Sequence, residues 1–206
     1  MSKYSKTPWI VILGADGAGK STVIDGLFSN LAEQNVEVLY QHWRPTLNRK
    51  ATGEGCTVED PHALPPRGIC GSWTRIIALL VVWKLSFLGE LRRSRKQGKF
   101  VIFDRYYGDL IIDPRRYRYG GGEIFAKLVF KLMPQPDLVI LLDGSAEVFY
   151  QRKPEVELNV LKSIVEKYRN YVTDLELGTI IDAELPVAEV VEQVTSEVNN
   201  LLKNEV

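Results

Sequence analysis

A lysine and a serine lie near the end of a glycine-rich segment in the first part of this 206-residue chain. The segment runs from Gly14 to Thr22 and reads GADGAGKST, which matches G-x-x-x-x-G-K-[ST], the pattern of a phosphate-binding loop. In this pattern the lysine, here Lys20, reaches the β- and γ-phosphates of a nucleotide, and Ser21 offers its hydroxyl to Mg²⁺. The spacing therefore predicts a nucleotide site at residues 14–22.

The glycines explain how such a loop could hold phosphate. Gly14, Gly17 and Gly19 would let the backbone curl with its N–H groups facing inward, some of them at positive φ. Those amides and the N-terminus of the following helix would then donate to phosphate oxygens.

A carboxylate and a guanidinium form a second chemical centre. Four apolar residues, Phe100–Phe103, precede Asp104 and Arg105, so the pair is predicted at the end of a strand. Asp104 could hold Mg²⁺ through water or accept a proton from an attacking oxygen, and the sequence leaves both roles open. Arg105 is suited to bidentate phosphate binding, with a surface salt bridge as the alternative.

Alternating strands and helices must position these residues. The pattern predicts a three-layer α/β/α fold with a central, mostly parallel five-stranded sheet and right-handed crossovers, in one domain over residues 1–206. Strands are predicted at Trp9–Leu13, Val36–Tyr40, Phe100–Phe103, Leu138–Leu142 and Thr179–Ile181. Helices are predicted at Ser21–Gln34, Ser72–Gln97, Glu123–Met133, Ala146–Arg152, Val156–Val172 and Val187–Lys203.

Two stretches read as irregular. Residues 46–71 are rich in glycine and proline and follow the second strand, so a functional loop on the acceptor side is expected there. Residues 107–122 carry Arg115, Arg116 and Arg118 among tyrosines. The arginines could bind a second anionic group while the tyrosine rings stack on a flat or sugar surface. A plain arginine-rich surface loop is the alternative.

Composition narrows the class of protein. Twenty-six basic residues balance twenty-six acidic ones, so no net charge attracts the chain to nucleic acid or membrane. Two cysteines without a C-x-x-C pair indicate reduced thiols, and the start of the chain lacks the apolar core of a signal peptide. The most apolar run, Ile76–Trp83, is far short of the roughly 20 residues of a membrane span. We expect a cytoplasmic protein in which this run is a buried helix.

Four stretches together resemble the thymidylate kinases, a branch of the nucleoside-monophosphate kinases. They lie in family order along nearly the whole chain: the Gly14–Thr22 loop, Asp104–Tyr106, Pro136–Asp143 and Ile181–Val190. The resemblance implies a phosphate-loop kinase that uses ATP and Mg²⁺ and phosphorylates a small anionic acceptor, most economically a nucleoside monophosphate such as dTMP.

The resemblance also implies site residues. The catalytic set is Lys20, Asp104, Arg105 and Arg152, the last in a short lid at about residues 151–156. ATP would contact Gly14, Asp16, Gly17, Ala18, Gly19, Lys20, Ser21, Thr22, Ala183 and Pro186, with Ser21 and Asp104 on the metal. Asp16 would also contact an acceptor hydroxyl, with Arg44, Arg105 and Tyr106 in the acceptor set. The arginine-rich stretch at residues 107–122, and not the resemblance, adds Arg115, Arg116 and Arg118 to that set.

The departures from the family fall on the acceptor side. Family spacing places an arginine that reads the thymine base where this chain has Trp83. Asp109, Asp113 and Pro114 replace the family's serine and aromatic-glutamine pair, and the lid is short. His42 is either structural or part of the acceptor pocket. A phosphorylated sugar is therefore an alternative acceptor.

A further alternative belongs to another class, a nucleotide-dependent switch with slow hydrolysis, although the chain has no N-K-x-D guanine signature. Partners beyond the acceptor are not indicated, except that the apolar half of the Ser72–Gln97 helix could form a homodimer or belong to the core.

Overall fold

The computed structural model describes residues 7–43 and 64–204. Its strands are β1 (Trp9–Leu13), β2 (Val38–His42), β3 (Phe100–Asp104), β4 (Leu138–Asp143) and β5 (Gly178–Asp182). Its helices are α1 (Lys20–Glu33), α2 (Ile69–Val82), α3 (Leu88–Lys96), α4 (Gly108–Ile112), α5 (Glu123–Phe130), α6 (Ala146–Arg152), α7 (Leu158–Thr173) and α8 (Val187–Asn204). A π-helical turn, Trp83–Phe87, joins α2 to α3.

The five strands form one sheet in the order β2-β3-β1-β4-β5, and every neighbouring pair is parallel. Helices flank this sheet in a three-layer α/β/α arrangement, which confirms the predicted fold class. The sheet is wholly rather than mostly parallel, as expected when each strand is followed by a helical crossover.

The central strands are buried because they are apolar on both faces. All five residues of β1 and of β3 are buried, as are the first five of β4. β2 lies at the edge of the sheet and is partly exposed. Helix α1 packs against α8, and α7 packs against β4 and β5.

Parallel pairing brings the carboxyl ends of the strands to one edge of the sheet. Ile12 pairs with Asp104, and Asp104 pairs with His42 on the other side. The glycine-rich segment leaves β1 directly beside Asp104. Open α/β sheets bind their ligands at this edge.

Several predicted boundaries change. The loop expected at residues 46–71 ends earlier, because α2 begins at Ile69; residues 44–63 lie outside the described part of the chain. The stretch expected to be irregular at 107–122 contains the short helix α4. The run Ile76–Trp83 is only half buried, since Ile76 and Leu79 face the core while Ile77, Val81 and Val82 are exposed.

No helix within residues 7–43 and 64–204 combines the length and apolar character needed to cross a membrane.

Candidate active site

The glycine-rich loop adopts the curled backbone that its sequence predicts. Gly17 and Gly19 have φ values of 87° and 83°, in the left-handed region that favours glycine, and Gly19 caps α1. A Cβ on Gly17 would lie 2.3 Å from the carbonyl oxygen of Phe149 in α6. The loop is therefore formed by backbone conformation and by close contact with α6.

Lys20 lies buried inside this loop. Its Nζ donates to the carbonyl oxygens of Gly14 at 2.7 Å and of Ala15 at 3.0 Å. Burial lowers the pKa of Lys20 to about 8, with help from repulsion by Arg105. Ser21 and Thr22 follow in the first turn of α1, where both are exposed.

Asp104 is buried at the end of β3, with one side-chain oxygen paired and the other not. Its Oδ2 accepts hydrogen bonds from His42 Nδ1 at 2.8 Å and Tyr40 Oη at 3.2 Å. Its Oδ1 is buried and has no hydrogen-bond partner among residues 7–43 and 64–204. Burial alone would raise the pKa of Asp104, but hydrogen bonding from His42 and the positive charge of Lys20 keep it below its usual value.

This donor set fits Mg²⁺ bound together with a nucleotide. The ion is commonly held by one or two protein oxygens, several waters and substrate phosphates rather than by an all-protein cage. Asp104 supplies an ionised carboxylate with an unpaired buried oxygen, and Ser21 supplies a hydroxyl next to Lys20. Within residues 7–43 and 64–204 no cluster of three or more His, Cys, Asp or Glu side chains could hold a metal by itself.

Arg105, which follows the end of β3, contacts the glycine-rich loop. Its backbone φ is 66°, unusual for a non-glycine residue, and its N–H donates to the carbonyl of Ile12 at 3.0 Å. Its Nη2 donates to Asp16 Oδ1 at 2.6 Å, which joins β3 to the phosphate-binding segment. The carboxylate-guanidinium pair and the loop thus occupy one site.

A buried network holds the other side of Arg105. Nη1 donates to Asp109 Oδ2 at 2.6 Å and to Tyr168 Oη at 3.1 Å. Tyr168 Oη in turn donates to Asp109 Oδ1 at 2.7 Å, and Tyr117 Oη donates to Asp109 Oδ2 at 3.1 Å. Burial would lower the pKa of Arg105, but Asp109 and its neighbours hold it well above the usual value.

Asp16 bridges two guanidinium groups. Its second oxygen accepts a short hydrogen bond from Arg116 Nη1, while the first is bound by Arg105. Burial would raise the pKa of Asp16, but these two charges, with Lys20, hold it far below its usual value. Asp16 was predicted to contact ligand, and the structure pairs it with two of the predicted acceptor arginines.

The remaining predicted acceptor residues lie in different places. Arg118 donates from Nε to the Pro65 carbonyl at 3.1 Å, away from Asp16, and Arg115 is exposed. Tyr106 is buried, and its hydroxyl donates to the Pro134 carbonyl at 2.8 Å. Arg44 lies outside the described residues. Of the three arginines after Asp113, the structure brings Arg116 to the network.

The predicted adenine side lies next to α6. Arg152 Nη1 donates to the carbonyl of Ala183 at 2.9 Å, and the Ala183 N–H donates to the Asp143 carbonyl at 2.7 Å. Pro186 is exposed just before α8. The residues predicted to form a lid, about 151–156, are the last two of α6 and most of the short connection, residues 153–157, between α6 and α7. Because Phe149 in α6 contacts Gly17, Arg152 lies one helical turn from the phosphate loop.

An aromatic cluster forms around Trp43, the residue that follows β2. Trp43 is buried, with ring centroids 5.3 Å from Tyr117, 5.8 Å from Trp83 and 6.2 Å from Tyr107. Trp83 also meets Tyr106 at 5.7 Å. Trp83, which replaces the arginine expected from the family spacing, is thus part of an aromatic contact set.

Sequence reasoning missed Asp109 as a partner of Arg105. It expected Tyr117 only as one of the stacking rings of residues 107–122, and it gave Tyr168 no role beyond a position in a helix. Asp109 is only four residues from Arg105 in sequence, but the left-handed backbone of Arg105 and the turn before α4 bring the two side chains together, and no periodic pattern predicts this. Tyr168 lies 63 residues from Arg105 in sequence and carries no local signal for this contact.

Comparison with known proteins gives one related kinase. The chain is 27% identical over 196 residues to a probable thymidylate kinase 1 of Saccharolobus solfataricus, and the match covers 89% of this chain and 93% of that protein. No protein-family profile matches the chain. The similarity supports a likeness to thymidylate kinases that extends over most of both chains.

Proposed function

We propose that this protein transfers the γ-phosphoryl group of ATP to a small anionic acceptor, most economically a nucleoside monophosphate such as dTMP. The observation that carries the proposal is the hydrogen bond of 2.6 Å between Arg105 Nη2 and Asp16 Oδ1. It joins the end of β3 to the phosphate-binding loop, so that a cradle for phosphate, a carboxylate and a guanidinium share one site. The similarity to a probable thymidylate kinase supports the same reaction class.

The donor side would work through charge neutralisation. The loop amides and Lys20 would hold the phosphate tail, and Ser21 and Asp104 would hold Mg²⁺. The ion, when bound with nucleotide, supplies charge neutralisation at the β- and γ-phosphates. Arg152 stands on the adenine side, where it can approach the transferring group if its side chain leaves the Ala183 carbonyl.

The acceptor side would use Arg105 and Arg116. Both guanidinium groups bind Asp16, so an incoming phosphate would exchange with that carboxylate. Asp109 lies on the far side of Arg105 and would keep it in place during the exchange. This arrangement favours an acceptor that brings its own negative charge, because a neutral molecule could not replace the carboxylate.

A phosphorylated sugar is a second candidate acceptor, and Trp83 is the observation that favours it. Where the family resemblance places a base-reading guanidinium, this chain has an indole packed against Trp43 and Tyr106. A ring or apolar sugar face could stack in this region without the hydrogen bonds that a thymine base requires.

Product analysis tests the proposal. The purified protein would be incubated with ATP, Mg²⁺ and a panel of nucleoside monophosphates and sugar phosphates, and the phosphorylated product would be identified by mass spectrometry. Lys20→Ala is expected to lower phosphoryl transfer by several orders of magnitude, because it removes the charge facing the transferred group. Lys99→Ala, which removes an exposed salt bridge with Glu37, is the matched control and should retain activity.

The outcomes separate the candidates. Efficient turnover of dTMP would support the nucleotide acceptor, and turnover of a sugar phosphate in its place would support the second candidate. Slow release of inorganic phosphate with no phosphorylated product would instead indicate a nucleotide-hydrolysing switch. Full activity in Lys20→Ala would contradict a catalytic role for the loop.

We further propose that the protein forms a homodimer through an apolar face of α2 and α5. Exposed apolar side chains recur at steps of four residues along α2 and the π-helical turn, and along α5 and the residues just after it, so successive members of each series are surface neighbours. They are Ile69, Trp73, Ile77, Val81 and Leu85 on the α2 side and Ile124, Leu128 and Leu132 on the α5 side. Stacking of Trp73 on Phe125 at 4.7 Å joins the two series. A contiguous apolar surface of this kind marks an interaction site.

A further inference from the structure

The two oxygens of Asp104 have different surroundings. Oδ2 accepts from His42 Nδ1 at 2.8 Å and from Tyr40 Oη at 3.2 Å, whereas Oδ1 is buried without a hydrogen-bond partner from the residues that the structure describes. A buried polar group without a partner destabilises the folded protein, and more so when it is charged. A ligand that binds this oxygen would satisfy it.

Within the described part of the chain, the two nearby cations Lys20 and Arg105 do not supply that partner. The Lys20 ammonium donates to the Gly14 and Ala15 carbonyls rather than to Asp104. The Arg105 guanidinium is bound to Asp16, Asp109 and Tyr168. Oδ1 is therefore the oxygen left for a ligand from outside the chain.

Edge strand β2 determines which side-chain oxygen of Asp104 is available to a ligand. His42 pairs with Asp104 in the parallel register of β2 and β3, and the Trp43 N–H donates to the Asp104 carbonyl at 2.9 Å. Tyr40 stands two residues earlier on the same face of the strand, with its ring against Phe28 of α1 at 5.7 Å. The sheet ladder thus places both donors on the same oxygen.

We propose that His42, assisted by Tyr40, is a positioning residue for the metal site. Its Nδ1–H holds Oδ2, because an ionised carboxylate only accepts hydrogen bonds, and this leaves Oδ1 for Mg²⁺. The inference rests on the proposed function, since Mg²⁺ would arrive with the nucleotide. Groups that hydrogen-bond a metal ligand orient it, and their loss commonly costs 10–100-fold in metal affinity.

Binding measurements test this role without relying on turnover. A fluorescent ATP analogue would be titrated into wild-type protein and variants, first in EDTA and then at increasing MgCl₂. His42→Ala is expected to raise the Mg²⁺ concentration at half-effect about tenfold or more, with affinity in EDTA unchanged. His42→Asn keeps an N–H near the Nδ1 position and should restore most of the Mg²⁺ response. Gln41→Ala, on the opposite face of β2, is the matched control.

Other outcomes overturn the inference. If His42→Ala has the wild-type Mg²⁺ dependence, His42 does not position the metal ligand. If it weakens binding equally with and without Mg²⁺, or if His42→Asn restores nothing, its role is general packing. If His42→Ala does not fold, Tyr40→Phe and His42→Asn decide, and Tyr40→Phe must shift the Mg²⁺ response upward. If the wild-type protein binds no nucleotide, the proposed function and this inference both fail. If His42→Ala binds nucleotide with the Mg²⁺ dependence of wild type, the inference alone fails.

Discussion

Arg105 combines a left-handed backbone with a buried charge, and both features need support from its neighbours. A left-handed conformation costs a non-glycine residue about 1–2 kcal/mol. Its N–H bond to Ile12 and its guanidinium contacts to Asp16 and Asp109 hold it in place. The residue that faces the proposed acceptor is therefore fixed before any ligand binds.

Asp109→Asn should destabilise the fold by about 3 kcal/mol, because breaking a buried ion pair leaves a charge partly uncompensated. Asp16 still pairs with Arg105 in this variant, which keeps the loss near the lower end of the usual range. Urea unfolding measures the change. Glu123→Gln is the matched control: it removes an exposed pair with Lys127 at the same i,i+4 spacing and should cost less than about 0.5 kcal/mol. Equal losses would mean that burial does not govern the Arg105–Asp109 pair.

Lowering the pH should reduce the free energy of unfolding, because Asp16 takes up a proton. The usual pKa of its carboxyl is 3.8, and in the folded protein it lies far lower, so the unfolded chain takes up the proton first as the pH falls. This stabilisation is fully present well above that pKa and is lost progressively below it. Between about pH 6 and pH 3, the decrease in the free energy of unfolding should be at least about 1 kcal/mol smaller for Asp16→Asn than for wild type. Parallel pH profiles from urea unfolding would contradict this assignment.

At the scale of elements, the phosphate loop depends on its contact with α6. Gly19→Ala should cost about 1–2 kcal/mol, because it introduces left-handed strain at an otherwise open position. Gly17→Ala should add about 1–3 kcal/mol of overpacking, because its Cβ would meet the Phe149 carbonyl. Urea unfolding of both variants gives the comparison, and equal costs would show that the α6 contact does not constrain the loop.

The elements themselves were largely predictable, and the contacts between them were not. β1 and α6 have the predicted bounds, because an apolar run after a short polar start and an amphipathic segment before a proline are local signals. α4 was missed because Gly108 and Asp109 favour a turn as much as a helix. The phosphate loop and Asp104 were located from spacing alone.

Tertiary contacts explain what the sequence left open in the site. Tyr168 was expected only as one position of a helix, yet its hydroxyl satisfies both Arg105 and Asp109. His42 was left between a structural and an acceptor role, because its pairing with Asp104 depends on the β2–β3 register. Such contacts join residues about 60 positions apart, and no periodic pattern encodes them.

At the scale of the whole molecule, self-association should depend on the α2–α5 face. Ile77→Glu places a charge in the middle of this face and should shift the protein from dimer to monomer in analytical ultracentrifugation, because a buried unpaired carboxylate is costly. Leu177→Glu is the control: Leu177 is 55% exposed and Ile77 48%, but Leu177 lies before β5, outside the face. Wild-type protein that sediments as a monomer would contradict the proposed dimer.

The strand order carries a consequence for how the chain is made. β1 leaves the ribosome first, but its two neighbours are β3, beginning at Phe100, and β4, beginning at Leu138. Until β4 has been synthesised, the apolar first strand has no partner on one side within the described sheet, and long-range parallel pairing forms slowly. The glycine-rich loop is therefore synthesised long before it can fold. The exposed first strand is the segment that a chaperone would have to shield.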